Sequence, residues 1–256
     1  MKIVVAIKQV PARDSQLRVA ADGKWIDEDG LDFEINEPDA YALEEALQLR
    51  DANSGEVVAL CIGPDRASST IREALAKGAD RAIHVEVDDL QLWDGLGVAK
   101  LLAAAVREEN PDLLLTGLQS DDLGAGMTGV IAAELLGLPH ATIIMQVDIE
   151  GSNLKVKREL EDGYFQQVSM PLPAVLTIQS GIKKLRYATL MGIKKAKTKE
   201  VKSLTPATLG VANEAAYEVL AVSAPSKSKQ TQMLEGDAAT VAAQLVAKLR
   251  TEARAL

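Results

Sequence analysis

The sequence predicts an α/β protein with a doubly wound, mostly parallel sheet, an added β-hairpin and a C-terminal arm. Strand-like and helix-like runs alternate over the first half of the chain, which is typical of parallel sheets with right-handed crossovers. Apolar residues make up 47% of the 256 residues but aromatic residues only 3%, so valine, isoleucine, leucine and alanine must fill the core. Such continuous aliphatic runs are typical of strands that helices cover on both faces.

The elements of the first half follow from their periodicity. The helix over 39–50 has an apolar stripe at helical spacing, and Gly78 is a suitable stop for the helix before it. The predicted strands are 3–10, 57–62, 81–87 and 113–116, and the predicted helices are 39–50, 68–77, 91–109 and 129–136.

After residue 141 the pattern changes from alternation to consecutive strands. Glu161-Asp162-Gly163-Tyr164 is a hairpin turn signal, so we expect an antiparallel hairpin that extends the sheet. The predicted strands are 141–149, 154–160, 165–170 and 174–179.

The C-terminal part differs in composition. Residues 183–202 contain eight lysine and arginine residues against one acid, Glu200, and residues 203–237 have little periodicity. An amphipathic helix over 238–253 closes the chain, and an arm with one helix has too little core to be stable alone. We therefore expect an α/β domain over 1–202, with a recognition loop at 183–199, and a segment over 203–256 that docks on another chain.

Charge and residue inventory exclude several functions. The net charge of −9 argues against a general nucleic-acid binder. Cys61 is the single cysteine, which excludes an intramolecular disulfide and a cysteine-cluster metal site, and His84 and His140 are far apart in sequence. We expect no metal site. The N-terminus lacks the pattern of a signal peptide and no apolar run reaches ~18 residues, so we expect a soluble cytoplasmic protein.

A glycine-rich turn, Gly124-Ala125-Gly126-Met127-Thr128-Gly129, lies between a strand-like and a helix-like run. Free amides at a helix start, together with the helix dipole, favour an anion such as a phosphate. The match to G-x-G-x-x-G is weak by itself, because a dinucleotide fold places that motif directly after its first strand. The alternative is that these glycines only form a tight turn.

Catalytic motifs are missing from the sequence. It contains no nucleophile elbow, no Walker A lysine and no His-Glu zinc motif, so we predict binding chemistry and no catalytic residue. Asp121 and Asp122 could position a ribose or a metal, or they could simply be acids near a helix start.

The basic segment surrounds an apolar pair, Leu190-Met191. It could be a solvated loop, or a docking site in which charge steers an acidic partner and the leucine fills a pocket. RNA binding is disfavoured because only Tyr187 is available for stacking.

Several motifs between the N-terminus and about Lys199 form a recognisable set. The first half of the chain contains Val5-Ala6-Ile7-Lys8, Asn36-Glu37-Pro38-Asp39, Leu43-Glu44-Glu45-Ala46 and Lys77-Gly78-Ala79-Asp80-Arg81. A longer stretch runs from Val156 to Gly163 and is followed by Pro173-Ala174-Val175-Leu176-Thr177, and the basic segment contains Arg186-Tyr187-Ala188-Thr189-Leu190. Together these motifs resemble the β subunit of electron transfer flavoproteins. The stretch from Val156 is similar to the signature of that family, and the stretch from Arg186 resembles its partner-recognition loop.

The resemblance implies an adenine nucleotide α-hydrolase-like fold in a heterodimer with an α subunit. FAD would lie mainly on the α subunit, the β subunit would hold a structural AMP, and flavin-dependent dehydrogenases would donate electrons. The implied AMP site comprises Ala6, Asn36, Glu37, Pro38, Asp39, Ile62, Gly117, Leu118, Gln119, Ser120, Asp121, Asp122, Leu123, Gly124, Ala125, Gly126, Met127 and Thr128. The implied docking residues are Arg186, Tyr187, Leu190, Met191, Lys194 and Lys195.

Gly126 and Met127 stand where many relatives have polar residues, which leaves backbone amides and the Thr128 hydroxyl as phosphate donors. Three alternatives remain open. One is a bifurcating-type subunit with a second FAD in place of AMP. Another is a nucleotide-dependent enzyme, which would need a phosphate loop near the first strand. The third is a nucleotide-sensing module of the universal-stress type, which would need neither the basic segment nor the arm.

Overall fold

The computed structural model describes residues 1–225 and 231–255. A nine-stranded sheet forms its centre, with the order β11-β5-β4-β1-β6-β10-β7-β8-β9. Its strands are β1 (Lys2–Ile7), β4 (Glu56–Gly63), β5 (Arg81–Glu86), β6 (Leu113–Gly117), β7 (His140–Glu150), β8 (Asn153–Glu159), β9 (Phe165–Pro171), β10 (Ala174–Ile178) and β11 (Val201–Leu204). A separate two-stranded sheet pairs β2 (Gln9–Pro11) with β3 (Phe33–Ile35).

Helices cover both faces of the sheet, so the predicted doubly wound architecture is confirmed. They are α1 (Glu37–Asn53), α2 (Ser68–Lys77), α3 (Gly95–Glu109), α4 (Thr128–Leu136), α5 (Leu190–Ala196) and α6 (Ala238–Thr251). One core cluster packs α1 and α2 against one set of strand side chains. A second cluster packs α3 and α4 against the opposite set.

The chain reverses direction across the sheet between β1 and β6. From β1 it proceeds outwards through β4 and β5, then crosses back to β6 on the other side of β1. All of these pairs are parallel. Such a switch point leaves a crevice at the carboxyl ends of the two strands, where ligands of α/β proteins bind.

The predicted hairpin is also confirmed. Strands β7, β8 and β9 pair antiparallel, and Glu161–Gly163 forms the turn between β8 and β9. Strand β7 changes partner at a bulge, since it pairs parallel with β10 at its start and antiparallel with β8 beyond it. Ile143 at this bulge has a φ of 60°, a strained value for a β-branched residue.

Three local predictions need correction. The first strand ends at Ile7 and not at residue 10, because the Lys8 N–H donates to Asp39 and the chain then forms β2. The third predicted helix begins at Gly95 and not at 91, because Asp94 caps it by accepting a hydrogen bond from Gly97 N–H at 2.7 Å. The basic segment contains α5 and the edge strand β11 and is therefore not simply a loop.

The chain divides into two compact units, Met1–Val222 and Ser223–Leu256. In the first unit, Leu209 and Val211 pack against the α3–α4 core cluster, and Ala216 N–H donates to Asp94 at 2.6 Å. In the described part of the second unit, α6 has no buried residue. The predicted boundary at residue 202 separates the α/β domain from the segment that we expect to dock on another chain. That boundary stays a prediction.

Candidate functional site

The end of β6, the start of α1 and the loop over 118–127 meet at the switch point. Three residues near the α1 start hold this arrangement: Lys8 after β1, Asn36 at the helix N-cap position and Asp39 in the first turn. The structure thereby brings together the predicted site residues of the α1 start and those of the glycine-rich loop.

Asp39 ties two strand ends to α1. Its Oδ2 accepts a hydrogen bond from Lys8 N–H and its Oδ1 one from Gly117 N–H, both at 2.8 Å. The side chain is buried, and this burial raises the pKa of Asp39 to about 7 despite both hydrogen bonds. Gly117 is required here, since an added Cβ would lie 2.3 Å from Asp39 Oδ1.

Asn36 closes the loop over 118–121 onto α1. Its Nδ2 donates to Gln119 O and its Oδ1 accepts from Asp121 N–H, both at 2.9 Å. Asn36 is almost fully buried, so its amide serves the loop backbone in place of water.

Two cations neutralise the acids of this loop. Lys8 Nζ lies 2.7 Å from both carboxylate oxygens of Asp122 and 3.4 Å from Ser120 Oγ. Burial is the largest single effect and raises the pKa of Asp122. The Lys8 ammonium and the hydrogen bonds with Ser120 and Leu123 N–H together outweigh it, so the pKa of Asp122 is lowered. Arg13 bridges Glu37 and Asp121, with Nη2 at 3.4 Å from Asp121 Oδ2. A phosphate approaching this loop would therefore not meet unpaired negative charge.

Sequence reasoning missed the roles of Lys8 and Arg13. The available signal was the presence of two cations at and beyond the end of the first predicted strand, opposite two acids after the fourth predicted strand. Parallel strands place those positions at the same edge of a sheet.

The glycine turn uses left-handed backbone conformations that glycine adopts without strain. Gly124 and Gly126 have φ values of 62° and 61°, and a Cβ on Gly124 would meet nothing within 4 Å. Helix α4 begins at Thr128, so its first amides lack intrahelical acceptors and point towards this turn. Met127 Sδ would lie 2.9 Å from a Cβ on Gly95, which places the turn beside the start of α3.

Ala6 and Ile62 lie on the same face of the sheet as this turn. Both are partly buried at the carboxyl halves of β1 and β4 and pack against the cluster that contains α3 and α4.

The remaining predicted residues lie in the loop or beside it. In the loop, Leu118 N–H donates to Ile178 O at 2.9 Å, Leu123 is exposed, and Gly124 N–H donates to Ser120 O at 2.8 Å. Pro38 packs at Gly117, and Ala125 is exposed.

The predicted docking residues divide into two groups. Tyr187, Leu190 and Met191 form an exposed apolar patch, with 90%, 80% and 62% of their surfaces accessible, and Lys194 and Lys195 on α5 are also exposed. Arg186 instead faces inward and forms an ion pair with Glu44 of α1 at 2.9 Å.

Among the described residues, no group of three or more histidine, cysteine or acidic side chains is arranged to hold a metal ion. Within the same residues, none of the helices combines the length and apolar character that a membrane crossing requires.

Comparison with known proteins identifies the family of this chain. The family model for the electron transfer flavoprotein domain matches residues 24–209. The chain is 37% identical to the electron transfer flavoprotein subunit beta of Methylophilus methylotrophus, covering 96% of this chain and 97% of that protein. It is also 37% identical to the Homo sapiens subunit beta, over 98% and 97% of the two chains. The mitochondrial subunit beta of Oryza sativa subsp. indica is 38% identical over the full length of both.

The chain therefore belongs to the electron transfer flavoprotein β-subunit family.

Proposed function

We propose that this chain pairs with an α subunit to form a heterodimeric electron transfer flavoprotein. In that complex it binds AMP structurally, helps to enclose the FAD that the α subunit holds, and docks flavin-dependent dehydrogenases. Family membership supports the assignment as an electron carrier without substrate turnover of its own. When bound, FAD supplies the redox chemistry. This chain supplies the surfaces that help to enclose FAD and that dock the dehydrogenase.

The observation that carries the AMP proposal is the glycine turn at the start of α4, located at the switch point. Its amides and the Thr128 hydroxyl are donors for a phosphate. Because Lys8 and Arg13 already neutralise Asp122 and Asp121, the turn can accept an anion without repulsion from these acids. Asn36 and Asp39 hold the loop and helix that border the crevice.

The docking proposal rests on the apolar patch formed by Tyr187, Leu190 and Met191. An exposed tyrosine and leucine on an acidic protein would anchor a partner by filling an apolar pocket. Lys194 and Lys195 beside this patch would steer an acidic partner surface towards it, and the effect would weaken with salt.

The segment over 203–256 is proposed to anchor the α subunit. Its helix α6 exposes Leu245 and Val246 and has no buried residue of its own. A single helix of this length is marginal without a packing surface, so a partner surface would stabilise it. We further propose a cytoplasmic location without membrane insertion.

Co-expression with the α subunit tests the assignment. The heterodimer is expected to show one flavin by absorption and one AMP by mass spectrometry of the released nucleotides, and the β chain alone is expected to be colourless. A stoichiometric flavin spectrum from the β chain alone would instead favour the bifurcating type with a second FAD. A chain that binds nucleotide but fails to pair with an α subunit would favour the nucleotide-sensing alternative.

A further inference from the structure

Two adjacent buried acids on α1 face the segment that leads into α5. Glu44 and Glu45 lie in the middle of α1, and both are almost fully buried. Buried carboxylates are costly unless a cation and hydrogen bonds compensate for the lost hydration. Arg186 pairs with Glu44 and compensates it. Lys183 Nζ lies 3.6 Å from Glu45 Oε2, beyond hydrogen-bonding distance, and burial still raises the pKa of Glu45 to about 7.

The Arg186–Glu44 contact fixes both the side chain and the backbone of the segment. Arg186 Nε donates to Glu44 Oε2 at 2.9 Å and Nη2 donates to Oε1 at 3.1 Å. The main-chain N–H of Arg186 also donates to Glu44 Oε2 at 3.1 Å, and Nη2 reaches Asp51 at 3.3 Å. A planar guanidinium fork on a carboxylate is directional, and a lysine cannot reproduce it.

The other side of α5 rests on the C-terminal end of α2. A Cβ on Gly192 would lie 2.3 Å from Ala76 O, so the two helices are in direct contact there. Lys199 Nζ donates to Leu75 O at 3.0 Å and also to Ala79 O, which satisfies carbonyls at the end of α2. Thr189 caps α5 by accepting from Gly192 N–H at 3.0 Å.

We infer that Arg186 is a positioning residue, which orients α5 so that Leu190 can dock, and that it does not itself contact the partner. This inference rests on the proposed docking function of the apolar patch. Leu190 is the first residue of α5 and follows Arg186 by four residues, so the fork on Glu44 sets the path of the chain into the helix. Holding α5 in its docked geometry before the encounter lowers the ordering cost of binding.

The test is a double-mutant cycle in the flavin-loaded heterodimer. The probe is a purified flavin-dependent dehydrogenase that reduces the wild-type heterodimer, and the KM and kcat for the heterodimer are measured. Leu190→Ala should raise the KM about tenfold or more, as expected for an anchor that becomes buried in the partner. Arg186→Lys should raise the KM roughly 3- to 10-fold with kcat unchanged, which marks a loss of binding and not of chemistry.

Coupling between the two positions distinguishes positioning from independent effects. If Arg186 acts through Leu190, the double variant should have nearly the KM of Leu190→Ala alone. Glu44→Gln should resemble Arg186→Lys, since it removes the same ion pair from the other side. Hydrogen exchange of residues 183–199 should accelerate in both variants of the ion pair and stay unchanged in Leu190→Ala.

Arg81→Lys is the matched control. Arg81 makes the same kind of fork, with Nε at 2.8 Å from Glu56 Oε1 and Nη2 at 3.2 Å from Glu56 Oε2. It also reaches Glu109 at the end of α3, on the face of the sheet opposite α1. The Arg81→Lys variant should leave the KM and the hydrogen exchange of residues 183–199 unchanged. The inference is overturned if the effects of Arg186→Lys and Leu190→Ala multiply, or if Arg186→Lys leaves the KM unchanged. If Leu190→Ala itself leaves the KM unchanged, the docking proposal fails and the positioning role fails with it.

Discussion

Replacement of Gly117 by alanine would test whether the end of β6 and the start of α1 form one structural unit. A Cβ at this position would lie 2.3 Å from Asp39 Oδ1, 2.7 Å from Pro38 Cβ and 2.8 Å from Asp39 N. Comfortable contacts are longer, so the start of α1 would have to move away by about 1 Å. Such a movement breaks the 2.8 Å hydrogen bond from Gly117 N–H to Asp39.

The steric overlap and the broken hydrogen bond together set the expected loss of stability. Overpacking costs about 1–3 kcal/mol, and an unsatisfied buried donor costs about 1–3 kcal/mol more. For a unit of this size each kcal/mol lowers the Tm by roughly 2–4 °C, so the Tm should fall by roughly 5–20 °C. Because Asn36 at the same helix end holds the loop over 118–121, the variant should also lose bound nucleotide.

Calorimetry of the purified heterodimer and mass spectrometry of its released nucleotide would measure both effects. Gly63→Ala is the matched control, because Gly63 likewise ends a parallel strand and a Cβ there would lie 3.4 Å from Ala67 Cβ, an ordinary contact. A Gly117→Ala protein with the wild-type Tm and nucleotide content would refute the reasoning.

Three further outcomes follow from the structure. Burial raises the pKa of Asp39 to about 7, so the folded state binds a proton more tightly than the unfolded state and the stability should fall as pH rises from about 4 to 7. Asp39→Asn should flatten part of that decline in urea titrations at several pH values, and an unchanged decline would contradict the assignment. Gly126→Ala and Gly137→Ala should lose similar stability when no nucleotide is bound, since both glycines have positive φ, but only the former should lose AMP on mass spectrometry of the heterodimer. A chain ending at Val222 should keep the Tm of the first unit in calorimetry but fail to co-purify with the α subunit, and normal co-purification would exclude α6 as the anchor.

The parallel sheet and its helices were predictable because they carry strong periodicity. The aliphatic strands and the apolar stripe of α1 are long enough for the pattern to indicate their type. Strands β2 and β3 have three residues each, which is too short for a periodic signal. Helix α5 was missed because its seven residues carry lysines and exposed apolar side chains together.

The candidate site was predictable only in part. The glycine turn and its anion-binding character follow from residue types, whereas Asn36 and Asp39 entered through resemblance to a family. Their role in the fold depends on partners that are far apart in sequence, such as the 78 positions between Asp39 and Gly117. The ion pair of Lys8 and Asp122 spans 114 positions. No local pattern pairs such residues, and only the order of the predicted strands could have indicated that they meet.

Helix α1 links the candidate nucleotide site to the proposed docking helix. Its start holds the loop over 118–121 through Asn36, and its middle holds the segment before α5 through Glu44. The two attachments are about two helical turns apart. Displacing the helix start should therefore disturb both, so Gly117→Ala should lose nucleotide and also raise the KM for the dehydrogenase. Loosening only the middle attachment, as in Arg186→Lys, should raise the KM while nucleotide content stays intact, because Asn36 and Asp39 keep their own partners.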